Sequence, residues 1–507
     1  MTGLIDSCNA VLWGYGLVYL LLGAGVYFSL RGGLVQVRHF PLTLRLLLCS
    51  KRTSDNHNIS SFQALCTSLA SHVGTSNIAG VAIAVHMGGP GAVFWMWVIA
   101  SLGMATSFVE NTLAQVYKSS NRDGTFRGGP AYYIEKALGQ RNLAVIFSVC
   151  MVLSFGFSFN AVHSNSVASA LAHAFALPEL LVGLVLTIMT ALIIFRGLRG
   201  IARFAEQTVP FMATAYLLTA GMVMLLYHDR LIDVFRLVIE NAFGLQTAAA
   251  GGMGYMVSQA MMQGIRRGLF SNEAGMGSSP NISAVAAPFP NHPAVQGLVS
   301  MLGVFVDTIL ICTATAMIVL LSDEYLGGDG VTGIALAQNA LSSIVGAWGT
   351  PFIAFITMLF GFTSIVANTY YGESSLRHIK DNPRLILWYR LVVIMIVFWG
   401  ALGSLPVVWS LADLTMGIMA LINLVVIVLL SGTAFALLKD FEQQYRRGIE
   451  EPVFNRKLFP ELDRTMDQDV WSVPGSNPRD QKPGNDGDDN QKIQEFNDMK
   501  RIEDGLP

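Results

Sequence analysis

Charged residues are scarce in this sequence of 507 residues: they make up 13% of it, against about a quarter of an ordinary soluble domain. This scarcity excludes an ordinary water-soluble fold. The net charge of −2 gives no basis for a nucleic-acid partner. Five scattered cysteines without C-x-x-C spacing indicate neither a disulfide framework nor a zinc site. Neither G-x-S-x-G nor H-E-x-x-H occurs, so we expect no enzyme, and no cofactor besides a transported ion.

Hydrophobic residues are abundant instead, at 52% of the chain with a mean hydropathy of +0.50. A window of about 19 residues predicts an all-α membrane protein. The eleven predicted membrane helices are 11–30, 60–86, 92–117, 142–173, 178–195, 204–227, 241–265, 294–321, 351–372, 385–403 and 407–437. The first of them has no basic segment before it and no small-residue cleavage site after it, so we expect a retained span rather than a signal peptide.

Lysine and arginine are unevenly distributed between the predicted loops. Nineteen fall in alternate loops, namely 31–58, 118–141, 196–203, Arg266–Arg267 and 377–390. The opposite side holds only Arg230 and Arg236, and the tail from Lys439 holds 11. Because basic loops stay on the cytoplasmic side, we expect the amino terminus outside and the tail inside. The polar segment 438–507 is expected to be a mostly disordered cytoplasmic tail.

The pattern Ser-Asn-any-Ala-Gly occurs twice, in "HVGTSNIAGVA" (72–82) and in "FSNEAGMG" (270–277). The first copy is predicted near the bilayer midplane, where "GTSN" is a poor run for a lipid-facing helix. Two arginines stand just before the second copy, and each would cost at least about 2.5–3.5 kcal/mol at mid-bilayer. We therefore expect the arginines at the cytoplasmic edge and residues 271–275 in a loop. The two copies would then not occupy equivalent positions.

A glycine run in the seventh predicted span, "GGMG" at 251–254, is the expected counterpart of "GTSN". Spans two to six and seven to eleven would form two five-helix groups of opposite topology, each opening with a broken helix. Broken helices expose backbone groups that can bind a carboxylate, an ammonium or a small hard cation. The alternative is that the glycines serve close helix packing. The predicted regions are 1–58 (helix and basic loop), 59–230 and 231–437 (the two groups) and 438–507 (the tail).

Long stretches of the chain resemble the alanine or glycine:cation symporter family. The most specific are "GGPGAVFWMW" (88–97), "GIRRGLFSNEAG" (264–275) and "FTSIVANTYYGE" (362–373). The family is similar in fold to the LeuT-type transporters, whose first core helix breaks at a V-G-x-G-N run much like 73–77. The resemblance implies one amino-terminal helix plus a 5+5 inverted-repeat core. It also implies sodium-driven uptake of alanine, glycine and serine-like small neutral amino acids across the bacterial inner membrane.

A proton-coupled transporter and a channel remain alternatives. Among partners, the resemblance implies a small neutral amino acid, sodium and membrane lipid, and the sequence indicates no oligomeric state.

The resemblance also implies binding residues. The substrate carboxylate is assigned to the backbone amides of Thr75 and Ser76, and its ammonium to carbonyls near His72 and the Gly251–Met253 run. The full set of expected substrate contacts is His72, Gly74, Thr75, Ser76, Asn77, His163, Gly251, Gly252, Met253, Val257 and Asn368. The expected sodium ligands are Ala70, Val73, Thr363 and Ser364. The alternative for the Thr-Ser pair is back-bonding to carbonyls of the preceding helical turn.

The chain departs from the family at two of these positions. Many members carry glutamine where this sequence has His163, and tryptophan where it has Asn368. We expect Asn368 to open the pocket toward small polar amino acids. His163 is either a neutral buried imidazole or a pocket wall, and in the second case transport would be sensitive to pH.

Ionisable residues within the spans are further candidates, since such residues are costly in a membrane. Asp307 lies inside the eighth predicted span and is either functional or a buried acid bonded to neighbouring helices. Glu110 and Asp413 lie nearer span ends and are expected to be solvated or paired. A cytoplasmic cluster is expected to latch the inner gate, or simply to anchor the loop by its positive charge; its members are Arg266, Arg267 and Glu273.

Overall fold

The computed structural model is a helical bundle with one short β-hairpin, and it describes residues 2–53, 58–121, 124–244, 253–326, 331–467 and 469–471. The elements of the first half are α1 (Thr2–Leu12, continued through a π-helical turn, Trp13–Leu17, into Val18–Arg31), α2 (Val35–Arg38), α3 (Phe40–Cys49), α4 (Ser61–His72), a 3₁₀ turn (Thr75–Asn77), α5 (Ala79–Gly88), α6 (Gly91–Val116), β1 (Ser119–Ser120), β2 (Phe126–Arg127), α7 (Pro130–Leu138), α8 (Arg141–Phe175, with a π-helical stretch at Val152–Ser158), α9 (Glu179–Ile194) and α10 (Gly197–Leu226).

The second half continues in the same way. Its elements are α11 (Leu231–Ala242), α12 (Met253–Asn272), α13 (Pro280–Ser283), α14 (Pro293–Ser322, with a π-helical stretch at Phe305–Cys312), α15 (Gly333–Val345), α16 (Gly349–Ile379), α17 (Pro383–Leu402), α18 (Leu405–Arg446) and α19 (Pro460–Asp463), with 3₁₀ turns at His228–Arg230, Glu324–Leu326 and Arg456–Leu458.

Seven of the described helices are long and apolar enough to cross a membrane: α6, α8, α10, α14, α16, α17 and α18. The pair formed by α4 and Thr75–Gly88 passes the same test together and is bent by 56°, so it counts as an eighth, broken span. Shorter apolar helices occur in α1, α3, α9 and α15. The chain is thus a multi-pass helical membrane protein, while the predicted number of eleven spans stays a prediction.

The first broken helix has a well-defined start. Ser60 accepts a hydrogen bond from the amide of Gln63 at 3.2 Å, and the Gln63 side chain accepts one from the Ser60 amide at the same distance. This capping box satisfies amides that have no partner within the helix. The helix ends at His72, and "GTSN" forms the short 3₁₀ turn that follows. The predicted break is therefore present at the predicted place.

The seventh predicted span, 241–265, differs from the structure. The amphipathic helix α11 ends at Ala242, and the next described helix, α12, begins only at Met253. Gly251 and Gly252 lie outside the described residues, and Gly254 is helical. The described interruption of this span comes later, at residues 273–279 between α12 and α13.

Helix α6 lies at the centre of the bundle, against α12 and α14. A Cβ at Gly264 of α12 would be 2.3 Å from the carbonyl oxygen of Ala92, and one at Gly297 of α14 would be 2.8 Å from that of Phe108. Only glycine permits such close backbone approach, as at other membrane helix interfaces. These contacts hold α12 and α14 against α6. Both helices contribute residues to the candidate site described below.

The segment after the last long helix is folded over one end of the bundle. Helix α18 continues to Arg446, and beyond it Phe454, Met466 and Trp471 are buried. The Phe454 amide donates to the carbonyl of Asn291 at 3.0 Å, and the Trp471 indole donates to that of Gln115 at 3.1 Å. The prediction of a disordered tail is therefore wrong for residues 438–471, because its few aromatic residues find a surface to bury against. Residues 472–507 lie outside the described part.

Candidate functional site

The first break brings several predicted substrate contacts together in the interior. Thr75, Ser76 and Asn77 are all buried. The Asn77 side chain accepts a hydrogen bond from the Gly74 amide at 2.9 Å, which holds the turn in shape. Thr75 Oγ1 and His163 Nδ1 share a hydrogen bond of 2.9 Å, so α8 contacts the break at this residue.

Gly74 is the point where neighbouring helices come closest to the break. A Cβ there would lie 2.6 Å from both the ring of His163 and the hydroxyl of Ser364. Its φ of −119° and ψ of −164° are extended values that any residue adopts. Glycine is therefore required here because a side chain would clash with its neighbours, and not because of the backbone conformation.

The predicted sodium ligands are partly assembled. Ser364 Oγ donates to the carbonyl oxygen of Ala70 at 2.9 Å, across the interface between α16 and α4. Ser364 also lies 2.9 Å from the carbonyl of Phe360, and Thr363 Oγ1 donates to that carbonyl at 3.0 Å, which is the predicted back-bonding. Val73 is buried at the break. Two of the four predicted ligands thus touch, and both hydroxyls also make intrahelical bonds.

Ser71 links Asn368 to Glu273. Its hydroxyl lies 2.5 Å from Asn368 Oδ1 and 2.7 Å from Glu273 Oε1, and one proton can be donated to only one of them at a time. His72 Nε2 lies 3.5 Å from Glu273 Oε2. Within the described residues, Asn368 Nδ2 and His72 Nδ1 are buried nitrogens without a hydrogen-bond partner. Buried polar atoms normally have one, so these two mark a place for a polar ligand or water.

Asp307 joins the two interruptions. It accepts hydrogen bonds from Asn77 Nδ2 of the first break and from Ser271 Oγ at the end of α12, each at 2.6 Å. Thr308 Oγ1 donates to the same carboxylate at 2.7 Å. Asp307 is fully buried, so these three donors take the place of water around it.

The second interruption is held by Glu110 of α6. Its two carboxylate oxygens accept from the amides of Gly275 and Gly277, each at 3.2 Å. Both glycines have positive φ, 89° and 81°, and Glu273 has a φ of 55°. Glu110 also accepts from Asn423 Nδ2 at 3.0 Å. Neither the solvated nor the ion-paired state expected for Glu110 is present: it is fully buried and binds backbone amides.

The two Ser-Asn-any-Ala-Gly motifs therefore meet. Ser76–Asn77 and Ser271–Asn272 each flank an interruption, and Asp307 contacts both motifs. Residues 273–275 of the second motif lie outside the helices, as expected for a loop, whereas Ser271 and Asn272 end α12, and the whole motif is buried. The expected position at the cytoplasmic edge rested on the cost of Arg266 and Arg267 in lipid, whereas the protein itself surrounds these side chains.

Arg267 is 4% exposed and lies 2.5 Å from Asp413 Oδ2, with its guanidinium 4.8 Å from the ring centre of Trp409. Arg266 Nη1 lies 3.4 Å from the same carboxylate oxygen and 13% of its side chain is exposed. An ion pair and an aromatic face offset much of the desolvation penalty. The predicted cluster of Arg266, Arg267 and Glu273 at the cytoplasmic edge is thus corrected: the arginines pair with Asp413, which is paired as expected, and Glu273 bonds to serines instead.

Of the remaining predicted contacts, Val257 does not reach the breaks. Val257 is half-buried on α12, fourteen residues before Ser271 and so about 21 Å away along the helix. Gly251 and Gly252 lie outside the described residues, and Met253 begins α12. Sequence reasoning missed Ser71, and placed Ser271 and Glu110 outside the site. An acid inside a strongly apolar run was the available signal for Glu110.

Known protein sequences are similar to this chain over most of its length. A sequence model described as "Sodium:alanine symporter family" matches residues 1–456. The chain is 46% identical over 460 residues to the "Amino-acid carrier protein AlsT" of Bacillus subtilis (strain 168), over 90% of this chain and 96% of that protein. It is 45% identical over 455 residues to the "Probable sodium/glutamine symporter GlnT" of the same organism, over 90% and 93% of the two chains.

A solved structure shows a related fold. It is the crystal structure of the Eremococcus coleocola manganese transporter in complex with an aromatic bis-isothiourea substituted compound, which has a TM-score of 0.51 and 16% sequence identity to this chain. The match covers 80% of this chain and 84% of that one. At this identity the likeness concerns the fold alone.

Proposed function

The chain belongs to the sodium:alanine symporter family, and from that premise we propose that it imports small neutral amino acids together with sodium by alternating access. The family and its named relatives are transporters rather than enzymes, and the family implies sodium as the co-transported ion. The finer parts of the proposal concern the substrate, the two binding sites, the repeat architecture and the orientation in the membrane.

The substrate site is proposed at the first break. The single observation that carries it is the pair of unpartnered buried nitrogens, Asn368 Nδ2 and His72 Nδ1, beside an interrupted helix. The Asn368 amide and the backbone amides of Thr75 and Ser76, at the start of a helical turn, are donors that suit a carboxylate. The carboxylate of Glu273, 3.5 Å from His72, can accept hydrogen bonds from an ammonium. A zwitterionic amino acid satisfies both requirements.

The sodium site is proposed between α4 and α16. Sodium is a hard cation that needs several oxygen ligands, and Ala70 and Ser364 already bring two oxygens within 2.9 Å of each other. The Thr363 hydroxyl and the Val73 carbonyl are the other proposed ligands. On binding, the ion would replace the hydrogen bond from Ser364 to Ala70. Because Gly74 and Ser71 lie between the two proposed sites, ion binding would favour the substrate-binding shape of the break, which is the coupling that symport needs.

Small substrates fit the crowding around the break. The close approach of His163 and Ser364 to Gly74 leaves no room for a methyl group at that point. Asn368 stands where many family members have tryptophan, so it would leave more volume and an additional amide. We therefore propose alanine and glycine as substrates, with serine accepted.

The repeat architecture is proposed as two groups of five helices, 59–230 and 231–437, after one amino-terminal helix. Its support is an interrupted helix near the start of each group, α4–α5 in the first and, after the short α11, α12–α13 in the second. Interrupted helices in corresponding places are typical of transporters with inverted repeats.

Transport is tested by uptake of labelled alanine into vesicles that contain the purified protein, with and without an imposed sodium gradient. We expect uptake that saturates with alanine and requires the gradient. Uptake that rises linearly with alanine would favour a channel. A chemically altered product would favour an enzyme. Competition with unlabelled glycine, serine and glutamine then ranks the substrates, glutamine being included because the relative GlnT carries it in its name.

A proton-coupled mechanism is the second candidate, and the buried contact between His72 and Glu273 favours it. Both side chains can bind or release a proton, and both lie at the proposed substrate site. An imposed pH gradient without sodium would then drive alanine uptake. If a sodium gradient drives uptake by the wild type and the pH gradient alone drives none, the proton mechanism is refuted.

Insertion into the bacterial inner membrane is proposed with the amino terminus outside and the segment after α18 in the cytoplasm. With Arg266 and Arg267 assigned to the bundle interior, the other loops on the proposed inner side still hold 17 basic residues against two outside. Two exposed thiols allow a direct test, Cys8 in α1 and Cys49 at the end of α3. A membrane-impermeant maleimide should label Cys8 in intact cells and Cys49 only after the membrane is permeabilised. The opposite pattern would invert the topology.

A further inference from the structure

A cavity of about 990 Å³ lies where the β-hairpin, the α9–α10 turn and the ends of α16 and α17 meet. Among the described residues that line it, five are arginines and two are acidic, which gives these residues a net charge of +3. The lining arginines are Arg127, Arg196, Arg199, Arg377 and Arg390. A cavity with such an excess of guanidinium groups attracts anions, whereas a neutral amino acid does not require it.

The two acids of the cavity are already engaged. Glu373 lies 2.9 Å from Arg377 and 2.8 Å from Arg390. Asp381 lies 3.0 Å from Arg377 and 3.8 Å from Arg127. These ion pairs join the two acids to Arg127, Arg377 and Arg390. Arg196 lies outside this network, so its positive charge is not cancelled by these acids.

Arg196 and Arg199 line the cavity beside the α9–α10 turn. Both are exposed, and Arg196 has no ion-pair partner within the part of the chain that the structure describes. They flank the start of α10, a helix of 30 residues whose first turn has no side-chain cap. The uncapped amides add to the positive potential that the arginines create.

The cavity lies beside a surface suited to lipid. Leu192 and Phe195, next to the α9–α10 turn, are 64% and 49% exposed, and Trp388 of α17 is 66% exposed. The Arg390 guanidinium lies 5.6 Å from the ring centre of Phe195, so the cavity and this apolar surface are contiguous. An anion attached to an acyl chain would contact both at once.

We propose that this cavity binds a phosphate group, presented by the headgroup of an anionic phospholipid or as free phosphate. Arginine forms bidentate hydrogen bonds with phosphate oxygens, and basic pockets between membrane helices on the cytoplasmic side bind anionic headgroups. The proposal does not depend on which substrate is transported, so it can be tested separately from the proposed function.

The test measures thermal unfolding of the full-length protein in detergent during titration with short-chain phosphatidylglycerol. Phosphatidylcholine of the same chain length and inorganic phosphate are titrated in parallel. We expect stabilisation by phosphatidylglycerol and none by phosphatidylcholine. Stabilisation by inorganic phosphate at similar concentrations would identify free phosphate as the source. An equal response to both lipids, without one to phosphate, would overturn the proposal.

Variants locate the effect. Each basic side chain near an anionic surface is worth about 1 kcal/mol, or about fivefold in affinity. Arg196→Gln should therefore raise the half-saturating lipid concentration about fivefold, and Arg196→Gln with Arg199→Gln about thirtyfold. Arg45→Gln is the matched control, since Arg45 is an exposed arginine that does not line the cavity. If Arg196→Gln and Arg45→Gln shift the titration equally, the cavity is not the binding site.

Discussion

Replacing Gly74 with alanine should block binding of the transported amino acid. The added methyl group would lie 2.6 Å from His163 Cε1 and from Ser364 Oγ. Ordinary contacts between such atoms are about 3.5–4.0 Å, so both side chains must move by about 1 Å. Both are fully buried, and protein interiors contain few voids into which a displaced side chain can move. Because the backbone at Gly74 is extended, alanine brings no conformational strain that would confuse the result.

The expected magnitude follows from the contacts that must be given up. Overpacking a buried site costs about 1–3 kcal/mol. Moving His163 stretches its hydrogen bond to Thr75, which is worth about 1 kcal/mol, and moving Ser364 displaces a proposed sodium ligand. The total is about 3 kcal/mol, which corresponds to about a 150-fold loss of affinity. The loss falls on binding because the displaced residues are those that shape the proposed sites.

The assay is equilibrium binding of labelled alanine to the purified variant at saturating sodium, followed by vesicle uptake. Gly254→Ala is the matched control, because a Cβ at Gly254 meets nothing within 4 Å. The control should bind and transport like the wild type, and its helix α12 should gain slightly in stability. Equal binding by Gly74→Ala and Gly254→Ala would refute the placement of the substrate at the first break.

Three further predictions test the surroundings of the break. Ser364→Ala and Thr363→Ala should each raise the sodium concentration for half-maximal uptake, by about tenfold if an ion ligand worth about 1.5 kcal/mol is lost; unchanged sodium dependence in both would remove this sodium site. Asn368→Trp should shift competition uptake toward glycine and alanine and away from serine, and unaltered selectivity would show that this residue lies outside the pocket. Arg267→Gln should lower the free energy of unfolding by about 3–5 kcal/mol because it leaves Asp413 buried without its closest partner, and the double change Arg267→Met with Asp413→Leu should recover most of that stability in a thermal unfolding assay; a single variant as stable as the wild type would show that the pair contributes nothing.

The first break could be predicted from the sequence, because a glycine followed by three small polar residues inside an apolar run is unfavourable for a continuous lipid-facing helix. The helix that follows α11 could not be placed, because its glycine run suggested a break and its arginines suggested a membrane edge. Both signals depend on neighbours that are far away in sequence. Arg267 is acceptable in the interior only because Asp413, 146 residues later, lies beside it.

The contacts of Glu110 could not be predicted from the sequence either. Sequence reveals a carboxylate near the end of an apolar helix, and such a residue is usually solvated. Its actual partners are the amides of Gly275 and Gly277, which become available only because residues 273–279 leave the helical conformation. A contact between a side chain and unwound backbone has no periodicity and no pairing rule that a sequence pattern could express.

The folded segment after α18 has a consequence for the order in which the protein is completed. Trp471 donates its hydrogen bond to the carbonyl of Gln115, a residue synthesised 356 positions earlier. At about 5–20 residues per second, the ribosome needs roughly 20 to 70 s to make the chain between them. Throughout that interval Lys118 lacks one of the two rings that lie over its ammonium group, those of Phe126 and Trp471. A chain that stops short of Trp471 can thus contain every membrane helix and still present an unfinished end to proteases and chaperones.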